Sequence, residues 1–214
     1  LTHAGQDFMA QSSQVIASLK DLDAVMAEHV GMKRGQIDLA IVSTSKYFIP
    51  MLLVQFNRMF PTIDVRLHID NKENVFNMIE RNEVDLAISG RVPDSSVYVG
   101  EPFASNPQAF VCSPSHPLSR KKNISYELLS EYPFVVRERG SGTRAAMERC
   151  FDEHQAQMQI FMEMPSNETI KQAVMANMGL SFLSQRTIRH ELAAGYIALL
   201  DVVDTPIQGK WQVI

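Results

Sequence analysis

From residue 37 to the end of the chain, apolar side chains switch repeatedly between the two-residue period of a strand and the longer period of a helix, and few folds accommodate that pattern. Ile37 to Val42 is a short apolar run, after which Ile49, Leu52, Leu53, Phe56 and Phe60 recur at helical spacing up to Pro61. Ile63 to Ile69 alternates apolar with polar, Asp70 followed by Glu73 gives a capping-box-like start, and Val75, Met78 and Ile79 mark a helix face. Asp85 to Ile88 reads as a third strand. Strands separated by crossover helices predict a parallel α/β sheet covered on both faces.

Between Gly90 and Pro117 the signal changes. Pro93, Pro102, Pro107, Pro114 and Pro117 interrupt the chain around the strand-like Ala109 to Cys112, as expected of a passage between lobes. Alternation then resumes with strand Phe134 to Arg137, a helix from Thr143 bearing Met147, Cys150, Phe151 and His154 on one face, and strand Ile160 to Met164. Helix Ser166 to Asn177, strand Leu180 to Leu183 after Gly179, and a helix over Thr187 to Ala194 follow. Tyr196 to Val203 and Trp211 to Ile214 are expected as strands that rejoin the first lobe.

Ahead of this body, Phe8, Val15, Leu19, Leu22 and Met26 fall on alternating four-three spacing, with Ser12 in the one polar slot. That is a heptad seam for pairing helices, or else a surface helix packed on its own domain. Gly31 and Gly35 mark its end as a hinge.

At 214 residues with 45% hydrophobic and 21% charged side chains, the chain can build a substantial core. No apolar run of about 18 residues is present and no charged-then-apolar leader, so neither a membrane span nor an intact signal segment is expected. Cys112 and Cys150 have neither disulfide-framework nor zinc-ligand spacing, which favours a reducing, cytoplasmic setting. A net charge of −4 with scattered Lys and Arg excludes a strong nucleic-acid face on these residues alone.

Ligands of open α/β sheets bind outside the carboxyl ends of strands, at loops that open helices. Ser43, Thr44, Ser45 and Lys46 offer three hydroxyls and one ammonium where a helix begins, a set suited to an oxyanion, although one hydroxyl is enough to cap the helix. Ser89, Gly90 and Arg91 end the third strand, and Arg91 either clamps a carboxylate or phosphate or is a solvated turn residue. Arg137 to Arg144 combines a strand end, the glycine-rich turn Ser141, Gly142 and Thr143, and four ionisable groups, the makings of an anion nest. Asn167 opens the helix after the Ile160 strand, with Ser166 read as its N-cap.

No catalytic, cofactor or metal motif stands out. His190-Glu191 lacks a second His one turn on, and His3, His29, His68, His116 and His154 are dispersed. The twelve methionines, Met158, Met162 and Met164 among them, read as adaptable filler.

These residues resemble a known family over nearly the whole chain. Leu1-Thr2-His3-Ala4-Gly5 resembles the opening of the linker helix of LysR-type transcriptional regulators. Ile41 to Pro50, Asp85-Leu86-Ala87-Ile88-Ser89-Gly90-Arg91, Arg137-Glu138-Arg139-Gly140-Ser141-Gly142-Thr143-Arg144, Asn167 to Val174 and Gly179 to Ser184 match, in order, the subgroup that controls Rubisco and other carbon-fixation operons. Arg139 departs from that subgroup, which often has Pro there, and bears on which effector is bound.

The resemblance implies an α/β fold of two Rossmann-like lobes joined by two crossovers, like periplasmic solute-binding proteins, preceded by a long linker helix. On that basis residues 1–34 are expected to be a linker and dimerisation helix and 35–214 the effector domain, with one lobe at about 35–107 and 189–214 and the other at about 108–188. A winged helix-turn-helix, absent from this chain, would precede it and contact promoter DNA. The implied partners are a small anionic metabolite, phosphorylated or carboxylate, held between the lobes, and further copies of the chain in a homodimer or homotetramer. Neither an enzymatic activity nor a cofactor is expected. A free-standing solute-binding protein and a small hydrolase are the rival readings.

Overall fold

The computed structural model describes residues 35–92 and 97–214, with positions 2, 5, 6, 8, 9, 12 and 16 ahead of them. Of the heptad series, Phe8 and Ser12 are described and helical; Val15, Leu19, Leu22 and Met26 lie outside the described residues, as do Gly31 and Pro93. The chain forms two compact units, the first running to Gly100 and regaining Val213–Ile214, the second comprising Glu101–Gln212, so it passes between them twice.

In the first unit, β1 (Gly35–Val42) is followed by a 3-10 turn (Ser45–Tyr47), α1 (Ile49–Met59), β2 (Ile63–Asp70), α2 (Lys72–Glu80) and β3 (Leu86–Ser89). β1 lies in the middle, parallel to β2 from Gly35↔Ile63 to Val42↔Asp70 and parallel to β3 from Leu39↔Leu86 to Ile41↔Ile88. A strand between two parallel neighbours is covered on both faces, which is why Leu39 to Val42 is apolar without alternation and wholly buried. The tail closes this sheet, Ile214 exchanging both backbone bonds with Ala87 at 2.8 and 2.9 Å.

Two local expectations change. Asn71, not Asp70, caps α2, its side chain accepting from the Asn74 amide at 2.9 Å, while Asp70 Oδ1 accepts from the Asn71 amide and from Asn74 Nδ2. The helical spacing of α1 does produce a helix, with Ile49 of the expected face buried, Leu53 and Phe56 half-buried and Leu52 and Phe60 exposed; what was not expected is that Met51, Val54 and Met59 present further apolar surface outside that face.

The second unit runs β4 (Glu101–Cys112), α3 (Tyr126–Leu129), β5 (Pro133–Arg137), α4 (Gly142–Glu153), β6 (Gln159–Met164), α5 (Asn167–Met175), β7 (Ser181–Ser184), a 3-10 turn (Gln185–Ile188), α6 (Arg189–Ala193), β8 (Ala198–Leu199) and β9 (Ile207–Val213). Pairing here is mixed rather than parallel throughout: β5 and β6 are parallel, whereas β4 runs antiparallel to both β7 and β8. Pro102 and Pro107 do not break β4, which lies between β9 and β7 in the sheet; its bonding to β7 begins at Gln108 and demands no proline N–H. Of the long strand expected over Tyr196 to Val203 only Ala198–Leu199 forms, and residues 189–203 pack into this unit through Ile197, Leu200 and Val202.

Alternation of side chains sorts the core into two halves. Phe110, Phe134, Val136 and Phe182 point to one side, and Val111, Val135 and Leu183, each one residue along, to the other. Phe110 anchors the first half, its ring 4.8 Å from Phe182 and 5.8 to 6.0 Å from Tyr126, Phe134 and Phe151 in tilted or edge-on contact. α3, not foreseen from the sequence, exists because Ser125 caps it and Tyr126 and Leu129, one turn apart, both enter this core.

Gly179 approaches the start of β5 so closely that a Cβ would lie 2.6 Å from the Pro133 carbonyl oxygen. Gly179→Ala is expected to cost about 2 to 4 kcal/mol because backbone must move. Gly195→Ala, in open space at φ +72°, should cost only about 1 to 2 kcal/mol for the left-handed backbone. Urea unfolding of the two variants tests that order.

His154 ends α4 stacked on Tyr126, its Nδ1 2.8 Å from the Cys150 carbonyl oxygen and its Nε2 3.2 Å from Asp204 Oδ2. The Cys150 carbonyl is the chief cause raising its pKa above the ordinary value; partial burial opposes the rise and the Asp204 carboxylate adds to it. A raised folded-state pKa contributes stability that is complete below the unfolded value of about 6.5 and is lost as pH climbs through the folded one. The melting temperature of wild type should therefore exceed that of His154→Gln by more at about pH 5.5 than at about pH 8.5. A gap that widens with rising pH would reverse the assignment.

Candidate functional site

In each unit the loops of interest leave the carboxyl edge of parallel strands. β1 and β3 are neighbours with Ile41 opposite Ile88, so the chain after Val42 and the chain at Ser89 emerge on the same edge of the first unit's sheet. The amide of Ser43 donates to the Asp70 carbonyl at 2.7 Å, extending the β1–β2 pairing by one residue. Thr44 is buried, and it precedes the 3-10 turn without a side-chain capping bond. Ser45 is fully buried with its hydroxyl donating to the Val42 carbonyl at 2.8 Å, so its proton closes the turn. Lys46 is half-buried, its Nζ lying 5.4 Å from the centre of the Tyr47 ring. Ser89 is fully buried, and its hydroxyl has no hydrogen-bond partner among the described residues. Gly90 and Arg91 are exposed.

In the second unit, Arg137 of β5 stands opposite Met164 of β6, so the loops into α4 and α5 also leave one edge together. Gly140 takes φ +84°, a backbone shape that glycine adopts without strain, and this turns the chain so that the Ser141 amide donates to the Glu138 carbonyl at 3.2 Å. Ser141 and Thr143 are both buried, Gly142 less so. Ser141 and Ser166 occupy the N-cap positions of α4 and α5, yet neither side chain makes a capping bond. The leading N–H groups of an α-helix have no acceptor within the helix, and the helix dipole gives that end partial positive charge.

Arg137 joins these pieces. Its Nη1 donates to Asn167 Oδ1 at 2.7 Å, while its Nε and Nη2 engage both carboxylate oxygens of Glu138 at 2.7 and 2.8 Å. Asn167 is buried, and its Nδ2 has no hydrogen-bond partner among the described residues. Arg144, buried as well, turns inward to Glu148 at 2.6 Å, to the Arg137 carbonyl at 3.1 Å and to Glu163 at 3.5 Å. Arg137 and Arg144 are therefore spent on protein partners, while Arg139 of the same segment is exposed; the other donors near the turn are neutral hydroxyls, amides and one carboxamide.

Sequence reasoning named Asn167 but missed Arg137 as the residue that holds it. The adjacency of Arg137 and Glu138, and the four-residue spacing of Arg144 and Glu148, were the available signals.

Other chemistry in the second unit lies apart from these loops. A surface pocket of about 340 Å3 lined by Glu148, Phe151, Asp152, Ala156, Gln157 and Met158 follows the later turns of α4, and its two carboxylates suit an anion poorly. Burial pushes the Cys112 thiol up to about 12 and raises that of Cys150, so both stay protonated near neutral pH and are poor nucleophiles.

Comparison with known proteins places these loops in context. The family described as the LysR substrate binding domain matches residues 31–214. Over its full length the chain is 39% identical to the HTH-type transcriptional regulator CfxR of Cupriavidus necator, covering 67% of that protein. It is 38% identical to the HTH-type transcriptional activator CmpR of Synechocystis, covering 70% of it. Among solved structures, the regulatory domain of CcmR from Synechocystis PCC6803 in complex with 2-PG is 38% identical and superposes with a TM-score of 0.80, over 84% of this chain and 86% of that one.

Proposed function

Since this chain belongs to the LysR substrate binding domain family and is the ligand-sensing part of a LysR-type regulator, we propose that its effector is a small phosphorylated or carboxylate metabolite. The observation that carries this reading is the buried Asn167 carboxamide with an unsatisfied donor, beside two helix starts whose N-cap serines leave the first turn unbonded. A buried donor without an acceptor destabilises the folded protein, whereas an anion oxygen satisfies it at once. Ser141 and Thr143 supply further hydroxyls to the same edge. In the first unit Ser43, Thr44, Lys46, Ser89 and the Gly90-Arg91 turn supply a second donor set, with Ser45 shaping its turn. The relative solved with 2-PG binds a ligand of the proposed class.

Sensing requires only that one conformational or oligomeric state bind the effector better than another, and a coupling of about 1 to 3 kcal/mol suffices for a useful switch. In this reading residues 1–34 link the effector domain at 35–214 to an N-terminal DNA-binding domain, and the protein works in the cytoplasm at carbon-metabolism operons. The relatives are transcriptional regulators, which favours this reading over a transporter's solute-binding protein or a hydrolase. Assembly into homodimers or homotetramers is supported by the exposed apolar residues of α1, Met51, Leu52, Val54 and Met59, and of β6, Ile160, Phe161 and Met162. Such clusters on an otherwise polar surface mark association sites.

Thermal shift with phosphoglycolate, sugar phosphates, citrate, 2-oxoglutarate and NADPH is expected to raise the melting temperature with at least one. Ligand at about a hundred times its Kd stabilises by about 2.7 kcal/mol. Ser141→Ala and Thr143→Ala should each weaken that ligand about 10-fold, the loss of one charge-assisted hydrogen bond. No shift with any of these compounds removes the anion-sensor reading. Sedimentation should show Met51→Glu combined with Val54→Glu shifting the protein toward monomer; unchanged oligomers would take α1 out of the interface.

A further inference from the structure

We infer that Arg137 is a positioning residue whose task is to fix the Asn167 carboxamide with its nitrogen turned toward the effector, and that it does not bind the anion itself. The inference rests on the anion-sensing reading and assigns a division of labour within it. Three observations carry it.

A guanidinium only donates hydrogen bonds, so the Asn167 atom 2.7 Å from Arg137 Nη1 has to be the amide oxygen. The orientation of the amide is thereby chosen by chemistry, and Nδ2 faces the opposite way. That nitrogen is buried and meets no acceptor among the described residues, the arrangement of a donor awaiting a partner. Next, every nitrogen of the guanidinium is engaged: Nη1 by Asn167, Nε and Nη2 by the two oxygens of Glu138. A bidentate pair of this kind is planar and rigid, and Glu138 neutralises the charge that an anion would otherwise seek. Finally, the Arg137 carbonyl accepts from Arg144 Nη1 at 3.1 Å, which anchors the residue from its backbone side to the start of α4. Arg137 thus ties β5 to both helix starts and leaves a neutral amide as the presented donor.

The specificity consequence is chemical. A neutral donor favours any acceptor oxygen with lone pairs directed at it and repels a ligand ammonium or amide N–H placed there. Phosphate and carboxylate oxygens satisfy it; an amine in the same place is left facing a donor with nothing to accept its proton.

The decisive variant is Asn167→Asp. It keeps an oxygen for Arg137 and so preserves the fold, but it replaces the presented N–H with a negatively charged oxygen. With phosphoglycolate as probe, followed by calorimetry or thermal shift, Asn167→Asp should lose about 100-fold or more in affinity while melting within a few degrees of wild type. Arg137→Lys should weaken binding about 10-fold in the wild-type background and by less than about 2-fold in the Asn167→Asp background, because a residue that acts only through Asn167 has nothing left to position. Glu138→Gln, which loosens the guanidinium without shortening any side chain, should follow the same pattern and serves if Arg137→Lys does not fold; Asn167→Leu serves in the same way for Asn167→Asp. Equal affinity of wild type and Asn167→Asp overturns the inference and leaves the anion-sensor reading standing. Full, additive loss from Arg137→Lys in the Asn167→Asp background also overturns it, since Arg137 would then touch the ligand directly. If wild type binds neither phosphoglycolate nor any other compound of the panel, the anion-sensor reading fails and this inference with it.

Discussion

The buried guanidinium of Arg137 is the point on which the second unit's functional edge depends. Its side chain is 2% exposed, and it touches the residue that follows it, the first residue of α5 and, through its carbonyl, an arginine of α4. Removing a buried charge from water is expensive, and only well-formed partners offset the penalty. Here the bidentate Glu138 carboxylate and the Asn167 oxygen provide them, so the net stability gained is small while the geometry gained is large. Deleting one member would leave a charge buried without its counterion, a loss of about 3 to 5 kcal/mol in comparable pairs. Such a group fixes where its neighbours point more than it holds the fold together. Packing around Phe110 does the latter work.

That division shapes how an anion can be recognised. One expectation for an arginine-rich turn is a cationic clamp, in which Coulomb attraction does most of the binding. The observed turn is different, because Arg137 and Arg144 are both committed to carboxylates of the protein. Apart from the exposed Arg139, what remains is directional: hydroxyls of Ser141 and Thr143, the first N–H groups of α4 and α5, which have no acceptor within their own helices, and the Asn167 carboxamide. Directional donors select shape and lone-pair geometry, and they are less screened by salt than exposed charges are. Lys46 in the first unit is the half-buried cation of its loop, sitting over the Tyr47 ring.

Much of the fold was legible in the residues. Continuous apolar runs located β1, β5 and β7, helical spacing located α1, α4 and α5, and ordered loop motifs located every segment that now frames the candidate donors. Legibility failed where a neighbour distant in sequence decides the outcome. Pro102 and Pro107 read as breaks, yet β4 runs through them, its pairing with β7 starting only at Gln108 and β9 lying along its other side. α1 reads as a helix packed by its apolar face, and Ile49, Leu53 and Phe56 of that face are buried or half-buried, but the exposure of Met51, Val54 and Met59 outside it was not legible. Ser45 looked like one more ligand hydroxyl, and its proton instead closes a turn on Val42.

The sequence by itself therefore determined periodicity, and with it the class of fold, the family and the loops where chemistry gathers, because period and local motif are properties of adjacent residues. Tertiary structure alone decided which strands run antiparallel, which arginines face inward and which way the Asn167 amide is turned. Those outcomes depend on atoms brought together from positions as far apart as Arg137 and Asn167, and a hydrogen bond's donor and acceptor are assigned only when both ends are in place.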